Sequence, residues 1–134
     1  VGAQLPLWGG ASAKVLLADA PIDLIDHVLE QGGKDGTYRA WLLHELRRVR
    51  EAGVASSHGE RERGSSSVAA PIRAGDRTVA ALAISGPSLR FTDLRVHEFA
   101  ELLKNATRDM ERSFTKDMDK NALGTVWVGT SAAR

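Results

Sequence analysis

Serine is the residue type that comes closest to a chemical constellation in this chain. Ser65, Ser66 and Ser67 run together into a β-type stretch, and Ser85 ends the next one. Between the two lie Ala74, Gly75, Asp76 and Arg77, whose Gly-Asp pair signals a hairpin. With the turn centred there, Ser67 stands opposite Ile84 or Ser85. Two hydroxyls at the open end of a hairpin can donate to, and accept from, a small polar ligand. Catalysis asks for more, because a nucleophilic serine needs a general base within reach. His27, His44, His58 and His97 share no ligand-like spacing, and only His58, in a charged loop, is kept as a pocket candidate. There is no Gly-x-Ser-x-Gly elbow, no Walker loop, no Gly-x-Gly-x-x-Gly and no His-Glu-x-x-His. Ser12-Ala13-Lys14 is one residue short of the Ser-x-x-Lys spacing.

The elements that must position these serines are legible from periodicity. Residues 11–18 read as a short helix, and Pro21 opens a second that Gly32-Gly33 stops. Leu42, Leu46 and Val49 form one stripe of a third helix over residues 38–52, with Arg47, Arg48 and Arg50 on its solvated face. Residues 58–64, alternating in charge between glycines, read as an exposed loop. Strands follow over residues 68–73 and 78–85. Period two along the second strand puts Val79, Ala81, Ala83 and Ser85 on one face, which either packs closely on a helix or leaves room for a ligand. Thr92 caps a last helix over residues 93–114, striped by Val96, Phe99, Leu103, Ala106 and Met110. Residues 115–134 read as a tail, in which 123–128 form a short extra strand or an adhesive segment. The fold class is α+β.

Composition removes several functions. The 134 residues are 43% hydrophobic and contain no Cys, so disulfides, Cys-ligated metal and thiol nucleophiles are excluded. Lys and Arg number 18 against 17 Asp and Glu, and a net charge of +1 offers no basic footprint for nucleic acid. No run is long and apolar enough for a bilayer. No metal or other cofactor is expected, and a binding module is favoured over an enzyme. Two alternatives stay open: a hydrolase or lyase using Ser67 or Ser12, and an oligomerisation domain with a filled interior.

Five stretches in order add a family. They are Leu5-Pro-Leu-Trp-Gly-Gly-Ala-Ser-Ala-Lys-Val-Leu-Leu-Ala18, Leu46-Arg-Arg-Val-Arg-Glu-Ala-Gly53, the Glu60 to Gly64 segment, Val68-Ala-Ala-Pro-Ile72 and Val79-Ala-Ala-Leu-Ala-Ile-Ser-Gly-Pro87. Together they resemble the effector-binding domain of IclR-type transcriptional regulators. The resemblance implies a GAF-like antiparallel sheet flanked by helices, in a cytoplasmic homodimer or homotetramer that senses a small organic acid. It also implies that DNA is read by a winged helix-turn-helix not contained in this chain. Residues 1–114 then correspond to the C-terminal part of the effector domain, without its first strands.

Carried onto this chain, the family's ligand positions fall on Ala11 and Ser12 at a helix start, on Ser57, on Ser67, and on Ala83 and Ser85. Ser12 could equally be a plain helix cap. Three departures stand out: Trp8 where the family has His, Ser57 in place of an acid, and Ala83 in place of Ser. Each removes a hydrogen-bonding group and one adds an aromatic surface. The expected effector is therefore larger or less polar than the smallest keto acids, an aromatic acid for example.

Overall fold

The computed structural model describes residues 2–118, so the expectations for residues 119–134, including the strand or adhesive segment at 123–128, lie outside the described residues. Its elements follow one another as three helices, a three-stranded hairpin sheet and a long helix. They are α1 (Ala11–Leu17), α2 (Ile22–Gln31), α3 (Gly36–Ala52), β1 (Ala55–His58), β2 (Ser65–Ala74), β3 (Arg77–Pro87) and α4 (Asp93–Met118). The α+β class and the antiparallel sheet are as expected, with strand order β1-β2-β3.

Local chemistry sets the boundaries. Pro21, at φ −64°, precedes α2. The Asp35 side chain accepts the Tyr38 N–H, so α3 begins at Gly36 rather than at 38. Gly53, at φ 72°, closes α3 in the left-handed conformation that a side chain would disfavour. Thr92 Oγ1 accepts the Arg95 N–H and caps α4, which continues past 114 to Met118. Strand β1 was not legible in the sequence, and both hairpin strands extend beyond their expected ends. Ser12 is not a cap: Gly10 occupies that place, and Ser12 lies within α1.

The sheet is covered on both faces. On one, Ala55 and Ala69, with Ala81 and Ala83, meet Ala11, Val15 and Ala18 around α1 and Val49 of α3. On the other, Val68, Ala70, Leu82 and Ile84 meet Phe91, Ala100 and Leu103 of the α4 side. The α4 stripe runs as expected through Val96, Phe99 and Leu103, and Ala100 and Thr107 beside it are also buried. A third cluster, Leu17, Ile25, Val28, Leu29, Leu42 and Leu46, fastens the first three helices together. Each such buried side chain contributes about 1.5–3 kcal/mol. Among the described residues no helix is long and apolar enough to cross a membrane.

Candidate functional site

Two transverse rows of small residues organise the α1 face of the sheet. Antiparallel register aligns Ala55, Ala69 and Ala83 across β1, β2 and β3, and two residues along it aligns Ser57, Ser67 and Ser85. Because side chains alternate, both rows point to the same face. Methyl groups let a helix approach closely, and α1 presses on the alanine row with Ala11 and Val15 fully buried. Ala83 belongs to this packed layer and, unlike Ala11 and Ala81, is not on the cavity wall, contrary to the expectation for it. The serine row emerges beyond the start of α1. Ser67 stands opposite Ser85, one of the two expected alternatives, and Ser57 completes the row from the strand that sequence patterning missed.

These hydroxyls face a cavity of about 790 Å³, within the 300–1,000 Å³ or so typical of small-ligand sites. One end is polar, with Ser12, Ser57, Ser65, Ser67, Ser85, Arg61 and Glu62. Apolar lining comes from Val79 and Ala81, further along β3 from Ser85, and from Leu5, Leu7 and Leu16. Ser67 Oγ accepts the Ala11 N–H at 3.4 Å and donates to Ser57 Oγ, also at 3.4 Å. Such long hydrogen bonds are weak, so exchanging them for contacts to a ligand costs little. A second groove of about 450 Å³, between α3, β1 and α4, offers Ser56 as its sole hydroxyl among residues such as Arg48, Val54 and Val96. The groove also carries Glu45 and Glu51, whereas the row of hydroxyls belongs to the larger cavity.

Two expected pocket residues lie elsewhere. Trp8 packs beside Gly32, where an added Cβ would fall 2.6 Å from its Cδ1, and Lys34 Nζ sits 3.9 Å from the Trp8 ring centroid. The Tyr38 hydroxyl donates to the Trp8 carbonyl. Trp8 is thus an anchor for the segment preceding α1, whose residues 2–7 form one cavity wall. His58 ends β1, and its Nδ1 lies 3.1 Å from Ser66 Oγ, itself 2.7 Å from Ser88 Oγ. Ser66 is 1% exposed and neither it nor His58 lines the cavity, so no histidine reaches Ser67 or Ser12 as a base.

A buried cation holds the polar end in place. Lys14, 1% exposed, donates to Glu60 Oε1 at 2.7 Å, to the Ser56 carbonyl at 2.5 Å and to Glu45 Oε2 at 3.3 Å. Glu60 Oε2 in turn accepts the Gly10 N–H at 3.1 Å. Burial raises the Glu45 carboxyl, but the Lys14 charge and hydrogen bond, with Arg48, outweigh it and hold the group below its ordinary value. Burial, then the Glu60 charge, pushes Tyr38 up to about 12, so it remains a hydrogen-bond donor. The signal available in sequence was a lone lysine in the otherwise small or apolar Ala-Ser-Ala-Lys-Val-Leu-Leu helix.

Comparison with known proteins agrees with this architecture. A family model described as the bacterial transcriptional regulator IclR C-terminal region matches residues 1–112. The HTH-type transcriptional regulator KdgR of Escherichia coli is 34% identical over 117 residues, 81% of this chain and 44% of KdgR. KipR of Bacillus subtilis is 30% identical, over 84% of this chain and 48% of KipR. The chain therefore spans less than half the length of these relatives, which are transcriptional regulators and not enzymes. An IclR-family putative regulator from Rhodococcus sp. superimposes with a TM-score of 0.75 at 35% identity, over 84% of this chain and 44% of that one. The crystal structure of the E. coli KdgR C-terminal domain does so at 0.70 and 31% identity, over 84% of this chain and 73% of the other. Matched by the family model over residues 1–112 and by relatives at 30% identity or more, the chain belongs to the IclR C-terminal family of bacterial transcriptional regulators.

Proposed function

We propose that the cavity binds a small organic acid, with its carboxylate toward the Ser57–Ser67–Ser85 row and a hydrocarbon body or aromatic ring toward Leu5, Leu7, Leu16 and Val79. The observation that carries this reading is one cavity lined both by a row of hydroxyls and by apolar side chains. Serine hydroxyls and the Ala11 N–H region donate to carboxylate oxygens, while the apolar lining takes surface that would otherwise face water. Ser57, rather than an acid, offers a hydroxyl instead of a negative charge at its place in the row. In the intact cytoplasmic regulator, binding biases the arrangement of subunits in a homodimer or homotetramer. That shifts operator affinity through a winged helix-turn-helix outside this chain, by differential affinity of the effector for two arrangements.

Calorimetric titration of the chain with glyoxylate, pyruvate, benzoate and phenylacetate tests the reading. Preferential binding of the aromatic acids supports it. Tight binding of glyoxylate and pyruvate alone contradicts the assigned size and polarity, and binding of no acid contradicts the acid-sensing role.

A further inference from the structure

We infer that Arg61 is the charge-selecting residue of this cavity, its guanidinium pairing with the carboxylate of the bound acid. The inference rests on the acid-sensing reading above and adds a contact that the serine row does not supply. Arg61 lines the cavity, and its guanidinium lies 4.0 Å from where a Cβ on Gly10 would be, at the residue preceding α1. Among the described residues it is the single cation on the cavity wall. Lys14, the nearest alternative, is committed to Glu60 and Glu45.

Arg61 itself has no ion-pair or hydrogen-bonding partner among the described residues. Its neighbours, in contrast, are braced. Glu60 is held through both oxygens, by Lys14 and by the Gly10 N–H. The Gly59 N–H donates to the Ser65 carbonyl at 2.8 Å, and the Ser65 N–H to the Glu62 carbonyl at 3.1 Å. An uncommitted guanidinium thus projects from a fixed loop toward the hydroxyl end. Its planar fork matches a carboxylate in two hydrogen bonds, and a pre-positioned backbone lowers the entropy lost on pairing. Glu62 lines the same rim. It offsets the long-range field of Arg61, so selection of an anion depends on direct contact rather than on steering.

The test compares phenylacetate with its uncharged isostere phenylacetamide, by calorimetry and by proton–nitrogen NMR of the arginine side chains. The 134-residue chain is used as wild type, Arg61→Gln, Arg61→Lys and Arg63→Gln, with thermal melts to confirm folding. The wild type should prefer the acid by roughly tenfold or more, as expected for a charge-assisted pair, and the Arg61 Nε–H signal should move with the acid alone. Arg61→Gln should bind the two compounds within about twofold of each other, Arg61→Lys should keep part of the preference, and Arg63→Gln should match the wild type. An undiminished acid preference in Arg61→Gln overturns the role of Arg61 while leaving the acid-sensing reading standing. Failure of the wild type to bind either compound overturns that reading and this inference with it.

Discussion

Lys14 Nζ lies 2.7 Å from Glu60 Oε1, joining two positions 46 residues apart. The contact fixes α1 to the loop between β1 and β2, and those two pieces bound the polar end of the cavity. A buried pair of this kind is weak evidence for net stability, since desolvation offsets most of the attraction. Breaking it from one side is another matter. In Lys14→Met two carboxylates with little exposure, Glu45 and Glu60, lose their shared cation. Destabilisation of about 3–5 kcal/mol is expected, against roughly 1 kcal/mol for Glu45→Gln, which keeps the Lys14–Glu60 contact. Urea unfolding midpoints of the two variants check the ordering.

The pH dependence of stability should show two flanks. Glu45 titrates below its ordinary 4.5 in the folded chain, so its contribution is present above that pH and is lost as pH falls through the depressed folded value. Tyr38 is raised from 10.0 to about 12. Its contribution is intact below about 10 and is lost as pH rises toward 12. Tyr38→Phe should therefore reduce the alkaline slope of the unfolding midpoint, while Lys14→Met reduces the acid one.

Gly32 matters for space rather than for conformation, since its φ is −84°. A Cβ there would lie 2.6 Å from Trp8 Cδ1 and 2.9 Å from its Cγ, so Gly32→Ala must displace the indole. Overpacking of this kind costs about 1–3 kcal/mol. A red shift of tryptophan emission together with a lower unfolding midpoint is expected, and unchanged emission would show that Trp8 is not seated there.

Ser67→Ala removes the central hydroxyl of the serine row with little change in volume. Its Oγ makes two hydrogen bonds, both at 3.4 Å, so stability should fall by less than about 1 kcal/mol. Affinity for an aromatic acid should fall by roughly tenfold, the worth of one hydrogen bond to a charged group. Calorimetry on folded variant and wild type measures both quantities in parallel with a melt.

The hairpin was legible because Gly75-Asp76 and the flanking β-type residues set the register locally, and Ser67 does face Ser85. The family resemblance was legible from motifs that survive as contiguous stretches. Strand β1 was not: Ala-Ser-Ser-His is short and lacks the branched or aromatic residues that mark strands, and its place depends on pairing with β2. Ser57 could be put on the row only by that pairing, or by family analogy. The Lys14–Glu60 contact is not legible locally, because a charge run between glycines is ordinarily solvated and nothing nearby in sequence reveals a partner 46 residues away. Correspondence with the family alone points Trp8 and Ala83 to the pocket. The Gly32 niche and the α1–sheet contact put them in packed layers instead.

The central claim is that an organic acid lies across the serine row with its apolar body under residues 2–7. Backbone amide NMR of the isotope-labelled chain during titration with phenylacetate tests it most directly. The account expects saturable shifts at Leu5, Ala11, Ser57, Ser67 and Ser85, with Ala100 and Leu103 on the opposite face unmoved. Shifts confined to the α3–β1–α4 groove, around Val54 and Val96, or no saturable shift at the serine row, would contradict it.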